Sequence, residues 1–413
     1  MSRTGGYWKA LGPGLLWAAT AIGVSHLVQS TRAGALYGFS MLGLIVVTIV
    51  LKYPLFEAGP RYAVATGQSL LEGYVGLGRW AVVLYLAVTL GTMFTVLAAV
   101  TLVTSGLAGA LFGTSLSLVA RAVLLLGVTT LILVVGRFSV LDRLVKVIIV
   151  IMAVSTVAAF LIAVLGRSGE LPPSPKLVAD GATIAFVVAL LGWMPVGIDA
   201  SAWLSLWTLE RSRQTGHQPT WSEARFDFNL GYVGTALIAL AFLTLGAVVI
   251  RPSGEPLAGS AGGFAAQVIA LYTQTLGEWS RPIILVAAFT TMFSTVLTVS
   301  DGFPRVLARM RGLLTRRKDA EAASYWIALA VLMTGSVVLI VFLRDRFTML
   351  IDLATTLSFL TAPLLGYLTV RAVTDERMPA ELRPSRSWRL LAWSCLLFLS
   401  GLGLVYLSWR FVL

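Results

Sequence analysis

Inside its apolar runs the sequence holds a small set of groups able to do chemistry. Gly23, Ser25 and His26 fall in one run, Gly197, Asp199 and Ser201 in another, Thr291 and Ser294 in a third. Polar groups at membrane depth are expensive, and they face a bundle interior or a water-filled path. An imidazole such as His26 can ligate a cation or carry a proton near neutral pH. Asp199 can supply a negative charge, or pair structurally with Lys52 or Arg32. Thr291, Ser294, Thr295 and Thr298 recur at three- and four-residue spacing and so share one helix face. They form either a polar wall or a set of hydroxyls bonded back to their own helix. Asp352, Thr355, Thr356 and Thr361 repeat that pattern more weakly. Glu57 and Arg61 stand in the favourable order for an i,i+4 ion pair. His217 lies in the polar segment RSRQTGHQPT and reads as a solvated loop residue.

Other chemistries find no support. GxSxG, HExxH and the Walker loop are all missing, so neither nucleophilic catalysis nor ATP-driven work by this chain is expected. The single cysteine, Cys395, excludes a disulfide framework or a cysteine-based metal centre. The expectation is a protein that is not an enzyme and has no resident cofactor.

The elements that must carry these groups follow from composition. Of 413 residues, 57% are hydrophobic and only 12% charged, about half the charge of an average soluble domain. That excludes a soluble enzyme, a disordered chain and a nucleic-acid-binding domain. A helix needs about 20 apolar residues to cross a bilayer. Eleven stretches qualify: 11–38, 41–66, 80–108, 117–136, 144–166, 178–209, 227–250, 281–303, 323–343, 348–372 and 389–411. Continuous rather than alternating apolar runs exclude a β-barrel. A shorter amphipathic stretch at 262–277 reads as a surface helix. The net charge of +12 comes from lysines and arginines concentrated in the segments that an inward N-terminus makes cytoplasmic, the basic run Arg309–Lys318 above all. The N-terminus is therefore expected in the cytoplasm, the C-terminus outside, and the membrane a bacterial inner membrane.

Two of the spans are interrupted. The first is apolar to Ile22 and then carries Gly23, Ser25, His26, Gln29, Ser30 and Arg32. The sixth holds Gly192, Pro195 and Gly197 at its centre, and proline removes a backbone donor and clashes with the preceding turn. Each opens a group of five spans. Interruptions at corresponding places in two halves point to a secondary transporter built from inverted repeats, with its site at the breaks. The chain is thus expected to form one transmembrane domain, with repeat one at about 11–166, repeat two at about 178–372 and an extra helix at 389–411. Its partners are the lipid bilayer, a small-molecule or metal-ion substrate and a coupling proton or ion, with no nucleic acid.

Several of these residues resemble a known family. Gly-Pro-Gly at Gly12–Gly14, AGALYGF at Ala33–Phe39 and GPRYAVATGQSLLEGY at Gly59–Tyr74 are similar to the first two helices of Nramp divalent-metal transporters. Met194–Pro195 stands where the family's Met-Pro-His-Asn motif begins. The resemblance implies the leucine-transporter fold, a ten-helix inverted-repeat core plus one further helix. It also implies a metal site at the breaks, and here the sequence departs from it. Gly23, Val24, Ser25 and His26 replace the family's Asp-Pro-Gly-Asn, and Val196–Gly197 replaces its His-Asn. The third span carries no charged group on the family's proton route. Metal ligation would fall to His26, Met194 and Asp199, a set suited to soft or borderline ions. The substrate expected first is a metal ion. The alternative is a small organic or anionic solute, which backbone amides at Gly23 and Gly197 would approach closely.

Overall fold

The computed structural model describes residues 3–166, 173–254, 258–315 and 321–411, and the described residues are helical with no β-strand. The expected basic residues Arg316–Lys318 lie outside them.

The N-terminal helix α1 (Arg3–Ala10) leads through Gly12 into α2 (Pro13–Ala21). Asp227 takes up the free amides at the start of α2, accepting from Gly12 N at 2.8 Å and Gly14 N at 2.6 Å. A carboxylate at a helix N-terminus satisfies orphan donors and the dipole together. After α2 the chain turns at Ile22–Gly23 and resumes as a π-helical stretch, Val24–Ser30, that runs into α3 (Thr31–Tyr37). Gly23 is required by proximity: a Cβ there would stand 2.7 Å from Thr295 Oγ1.

Helix α4 (Leu42–Thr66) completes a 54-residue run, Pro13–Thr66, that covers the first two expected spans. It is followed by α5 (Leu70–Leu77), started by a Ser69–Glu72 capping box, and by α6 (Arg79–Phe112). Helix α7 (Leu118–Leu165) has 48 residues and contains two apolar stretches, Leu118–Val135 and Lys146–Leu165, each long enough to cross. The sixth expected span is two pieces, α8 (Gly181–Gly192) and α9 (Ala200–Thr215), separated by Trp193–Asp199. At 1.5 Å per residue, 12 and 16 residues reach about 18 and 24 Å. Neither piece alone crosses a hydrocarbon core of about 30 Å.

The second half continues with α10 (Trp221–Leu245), whose Thr220–Glu223 capping box fixes its start, and the single turn α11 (Arg251–Ser253). The amphipathic stretch is α12 (Ala261–Leu276). Its apolar face, with Phe264, Ala265 and Val268, is buried and not spread on a surface. Then come α13 (Arg281–Thr315), α14 (Glu321–Leu343), α15 (Phe347–Thr374) and α16 (Arg386–Phe411). Helix α13 runs well past the expected end at 303, so Arg309 is helical rather than in a loop. Its guanidinium is held there by Glu72 and Glu321.

Nine helical stretches among the described residues are long and apolar enough to span a membrane. The exterior agrees: Val83, Leu131, Val135, Val154, Phe342 and Leu397 are exposed, an arrangement suited to lipid and costly in water. The interior is built on α6 and α13, which pack on each other and on α7 and α14, while α4 packs on α9 and α15 on α8. Trp17, Phe56, Phe228 and Tyr232 form one aromatic cluster between α2, α4 and α10.

Candidate functional site

Both breaks open onto one small cavity of about 30 Å³. Its wall is mostly apolar: Val24, Val96, Val100, Val196 and Val299, with the indoles of Trp193 and Trp203. Thr20, Ser25 and Thr295 add hydroxyls, and Gly197 and Asp199 complete the lining. The hydroxyl protons are already committed. Thr20 donates to Leu16 O at 2.9 Å and Thr295 to Ala19 O at 2.8 Å, while Ser25 bonds Ala21 O at 2.5 Å and Pro195 O at 3.1 Å. What the hydroxyls offer a ligand is acceptor lone pairs.

Asp199 sits at the start of α9 and is the one charged group on this wall. Among the described residues no arginine or lysine forms an ion pair with it, neither Arg32 nor Lys52. Its carboxylate lies at the positive end of the α9 dipole, which stabilises an anion there. The cavity therefore presents a lone carboxylate within an apolar, aromatic wall.

Other sequence candidates fall elsewhere. His26 is fully buried, but its ring is turned to α10: Nε2 lies 3.0 Å from Thr235 O and Nδ1 2.7 Å from Ser25 Oγ. Both nitrogens are thus in hydrogen bonds, and His26 is not on the cavity wall. Met194 is buried in the break and is also off the wall. Ser294 bonds Thr291 O and Thr291 bonds Ala287 O, the back-bonded alternative for that face. Only Thr295 of the hydroxyl face reaches the cavity. Among the described residues no three His, Cys, Asp or Glu side chains come together as a metal-binding group. His217 is half-buried and paired with Glu223 at 3.0 Å, not solvated as expected. Glu57 and Arg61 do pair, at 2.6 Å, with Trp388 Nε1 donating to the same carboxylate.

Two polar networks lie at opposite ends of the cavity, and most of their members escaped sequence reasoning. At one end, Arg32 bonds Asp352 at 2.9 Å and Gln29 at 2.9 Å, and its guanidinium lies 5.4 Å from the Phe186 ring. At the other end, Trp203 packs edge-on against Phe303 and Trp207. Trp207 Nε1 donates to Asp301 at 3.0 Å, Arg305 grips the same carboxylate at 2.7 and 2.9 Å, and Tyr325 donates to it at 3.0 Å. Asp301, Arg305 and Tyr325 also form part of the wall of a wider cleft of about 370 Å³, lined further by Glu210, Arg213, Arg309 and Trp326 among others. The i,i+4 spacing of Asp301 and Arg305 was a readable signal of the kind that identified Glu57 and Arg61.

Comparison with known proteins fits this architecture. The family model described as Nramp, natural resistance-associated macrophage protein-like, matches residues 14–409. An uncharacterized protein of Pasteurella multocida (strain Pm70) is 32% identical over 408 residues, 97% of this chain and 90% of its own. Among solved structures, the Eremococcus coleocola manganese transporter, in complex with an aromatic bis-isothiourea substituted compound, superimposes with a TM-score of 0.73. That match has 14% identity over 99% of this chain and 88% of that one. MhsT in complex with L-phenylalanine superimposes with a TM-score of 0.58 and 15% identity, over 100% of this chain and 99% of its own. These structural matches place the fold among leucine-transporter-type membrane proteins. With a family match over nearly the whole chain and helices fit for a bilayer, the protein is an integral membrane member of the Nramp family.

Proposed function

We propose that the protein is a secondary transporter that carries a small organic solute with an amine or other cationic group through the cavity at the two breaks. The observation that carries this reading is Asp199, one carboxylate facing an enclosure of valines and tryptophans. A cationic head would meet Asp199 and the hydroxyl lone pairs, and an apolar body would meet the valine and indole walls. Stripping a divalent ion of water needs several oxygen or nitrogen donors in exchange, and this wall offers few. A second reading, a metal ion on Asp199 and the carbonyls of the breaks, is favoured by membership in a family whose fold neighbours include a manganese transporter. His26 and Met194 contribute less to it than their positions in sequence suggested.

In this reading eleven crossings are made, with the first and sixth interrupted, in two inverted repeats (11–166 and 178–372) plus the helix 389–411, and α7 supplies two of them only if it reverses between Val135 and Lys146. The N-terminus is cytoplasmic and the C-terminus outside, in a bacterial inner membrane. The Asp301–Arg305 network then closes the cytoplasmic end and Arg32–Asp352 the outer end, so the cavity is occluded from both. The protein performs no catalysis.

The test is a thermal-shift screen of purified protein against small alkylammonium and amino compounds and against Mn²⁺. Amines should stabilise the wild type, and Asp199→Asn should weaken that binding about tenfold to a hundredfold, the worth of a charged hydrogen bond. Stabilisation by Mn²⁺ alone, lost in Asp199→Asn, would transfer the assignment to the metal ion. Unchanged affinity in Asp199→Asn would remove the site from this cavity.

A further inference from the structure

Lys52 on α4 is fully buried, and the roles assigned above leave it unused. Its ammonium Nζ lies 2.6 Å from Leu191 O and 3.4 Å from Gly192 O. Those are the last carbonyls of α8, where the sixth span breaks off. A half-helix that ends inside a membrane leaves carbonyls with no intrahelical donor, at the negative end of its dipole. Leu191 O also accepts from Trp193 N and, at 3.4 Å, from Met194 N, and Lys52 adds the charged donor. In transporters with broken helices, such half-helix C-termini and the unwound carbonyls beside them hold the inorganic coupling cation. Here a side chain delivers the positive charge covalently. Asp199 stands across the same break, at the start of α9. Among the described residues Lys52 has no carboxylate partner within ion-pair distance, so the carbonyl seat rather than a salt bridge holds its charge.

We infer that Lys52 is a tethered cation occupying the seat of a monovalent coupling ion at the C-terminal end of α8, so that this transporter needs no sodium or potassium there. The inference rests on the transporter reading above, but it concerns the ion seat and not the substrate. Lys52 is a positioning residue: it fixes the broken end of α8 and, through it, the Trp193–Asp199 segment that lines the cavity. Removing the side chain should leave a seat of carbonyls that takes up a small free cation instead.

The experiment uses purified full-length protein and no transport substrate, so its outcome is independent of whether Asp199 binds an amine or a metal. Thermal stability is measured in chloride salts of sodium, lithium, potassium, methylammonium and N-methylglucamine at equal ionic strength. The wild type should unfold at the same temperature in all five. Lys52→Ala should be destabilised in N-methylglucamine and regain half or more of the loss, saturably, in sodium or methylammonium. Lys52→Met, which refills the space with an uncharged chain, should show no such rescue. A merely structural lysine gives no cation-specific recovery, and equal stability of Lys52→Ala in all five salts would overturn the inference. If neither variant can be purified, the wild type still decides: a saturable, sodium-specific rise in its unfolding temperature shows a sodium seat that Lys52 has not replaced.

Discussion

The two ends of the central cavity are closed by the same kinds of group in very different settings. At the Arg32 end one guanidinium meets one carboxylate, with side-chain exposures of 15% and 43% and Gln29 alongside. At the Asp301 end the carboxylate is 3% exposed and receives donors from α9, α13 and α14. An exposed pair is screened and contributes about 0–1 kcal/mol. A buried, fully satisfied carboxylate is costly to disturb, because any broken partner leaves charge without compensation. The cavity therefore has a thin latch at one end and a multi-helix lock at the other. In the topology proposed above, the protein opens outward more easily than inward.

The largest effect expected from breaking this contrast is at the lock. Asp301→Ala removes the acceptor shared by Arg305, Trp207 and Tyr325, and leaves the Arg305 charge without it. A loss of about 3–5 kcal/mol is expected, read as denaturant unfolding of the purified protein. Tyr325→Phe deletes one donor and should lose about 1 kcal/mol. Equal losses for Asp301→Ala and Asp352→Ala would erase the difference between the two ends.

The latch predicts a different signature. Arg32→Gln should change stability by no more than about 1 kcal/mol, yet shift the protein toward the state open at that end. A cysteine placed on the cavity wall by Val24→Cys reads this shift, because Cys395 is buried and gives little background. Its reaction with a polar thiol reagent should be faster in the Arg32→Gln background. The Asp301→Asn background should instead favour access from the wider cleft. Identical labelling rates in all three would mean that neither network gates the cavity.

Much of this architecture is legible in the sequence. Spans announce themselves because a bilayer fixes their length and polarity. The breaks are visible at Gly23 and Pro195 because those residues perturb a helix wherever they sit. Asp352 and Asp199 stood out as carboxylates in apolar runs. The lock was harder to see, since Trp207 and Tyr325 reach Asp301 from helices about 94 and 24 residues away in the chain, and no local spacing encodes that meeting. The facing of His26 was not legible in the sequence. His26 was read from its place beside the break and at the family's ligand position, but Val24–Ser30 is π-helical and the ring bonds Thr235 O rather than lining the cavity. Lys52 was noticed only as a partner for Asp199. Its carbonyl seat exists because α8 ends at Gly192, a boundary that composition leaves uncertain by several residues.

A third ion pair, past the end of α15, sets the lower end of the scale. Asp375 follows α15 and is gripped by Arg377, at 2.6 Å from Nε to Oδ1 and 2.9 Å from Nη2 to Oδ2. The hydrogen bond from Arg377 is the main cause that holds the Asp375 carboxyl below the usual 3.8, at about 2. Because the folded value is depressed, the pair stabilises the protein above the unfolded value of about 4 and loses that contribution as pH falls from there toward 2. Arg377 is more than half exposed, so solvent screening keeps the contribution under about 1 kcal/mol. Arg377→Gln should therefore lower the unfolding temperature slightly at pH 6, and the difference from wild type should shrink as the pH is brought down to 3 and below. Arg377 Nη2 also bonds Gly76 O at 2.8 Å, a contact to a neutral carbonyl that does not titrate. A small pH-independent residue of the effect should then persist in acid. A loss at pH 6 as large as that of Asp301→Ala would show that burial is not what separates these pairs.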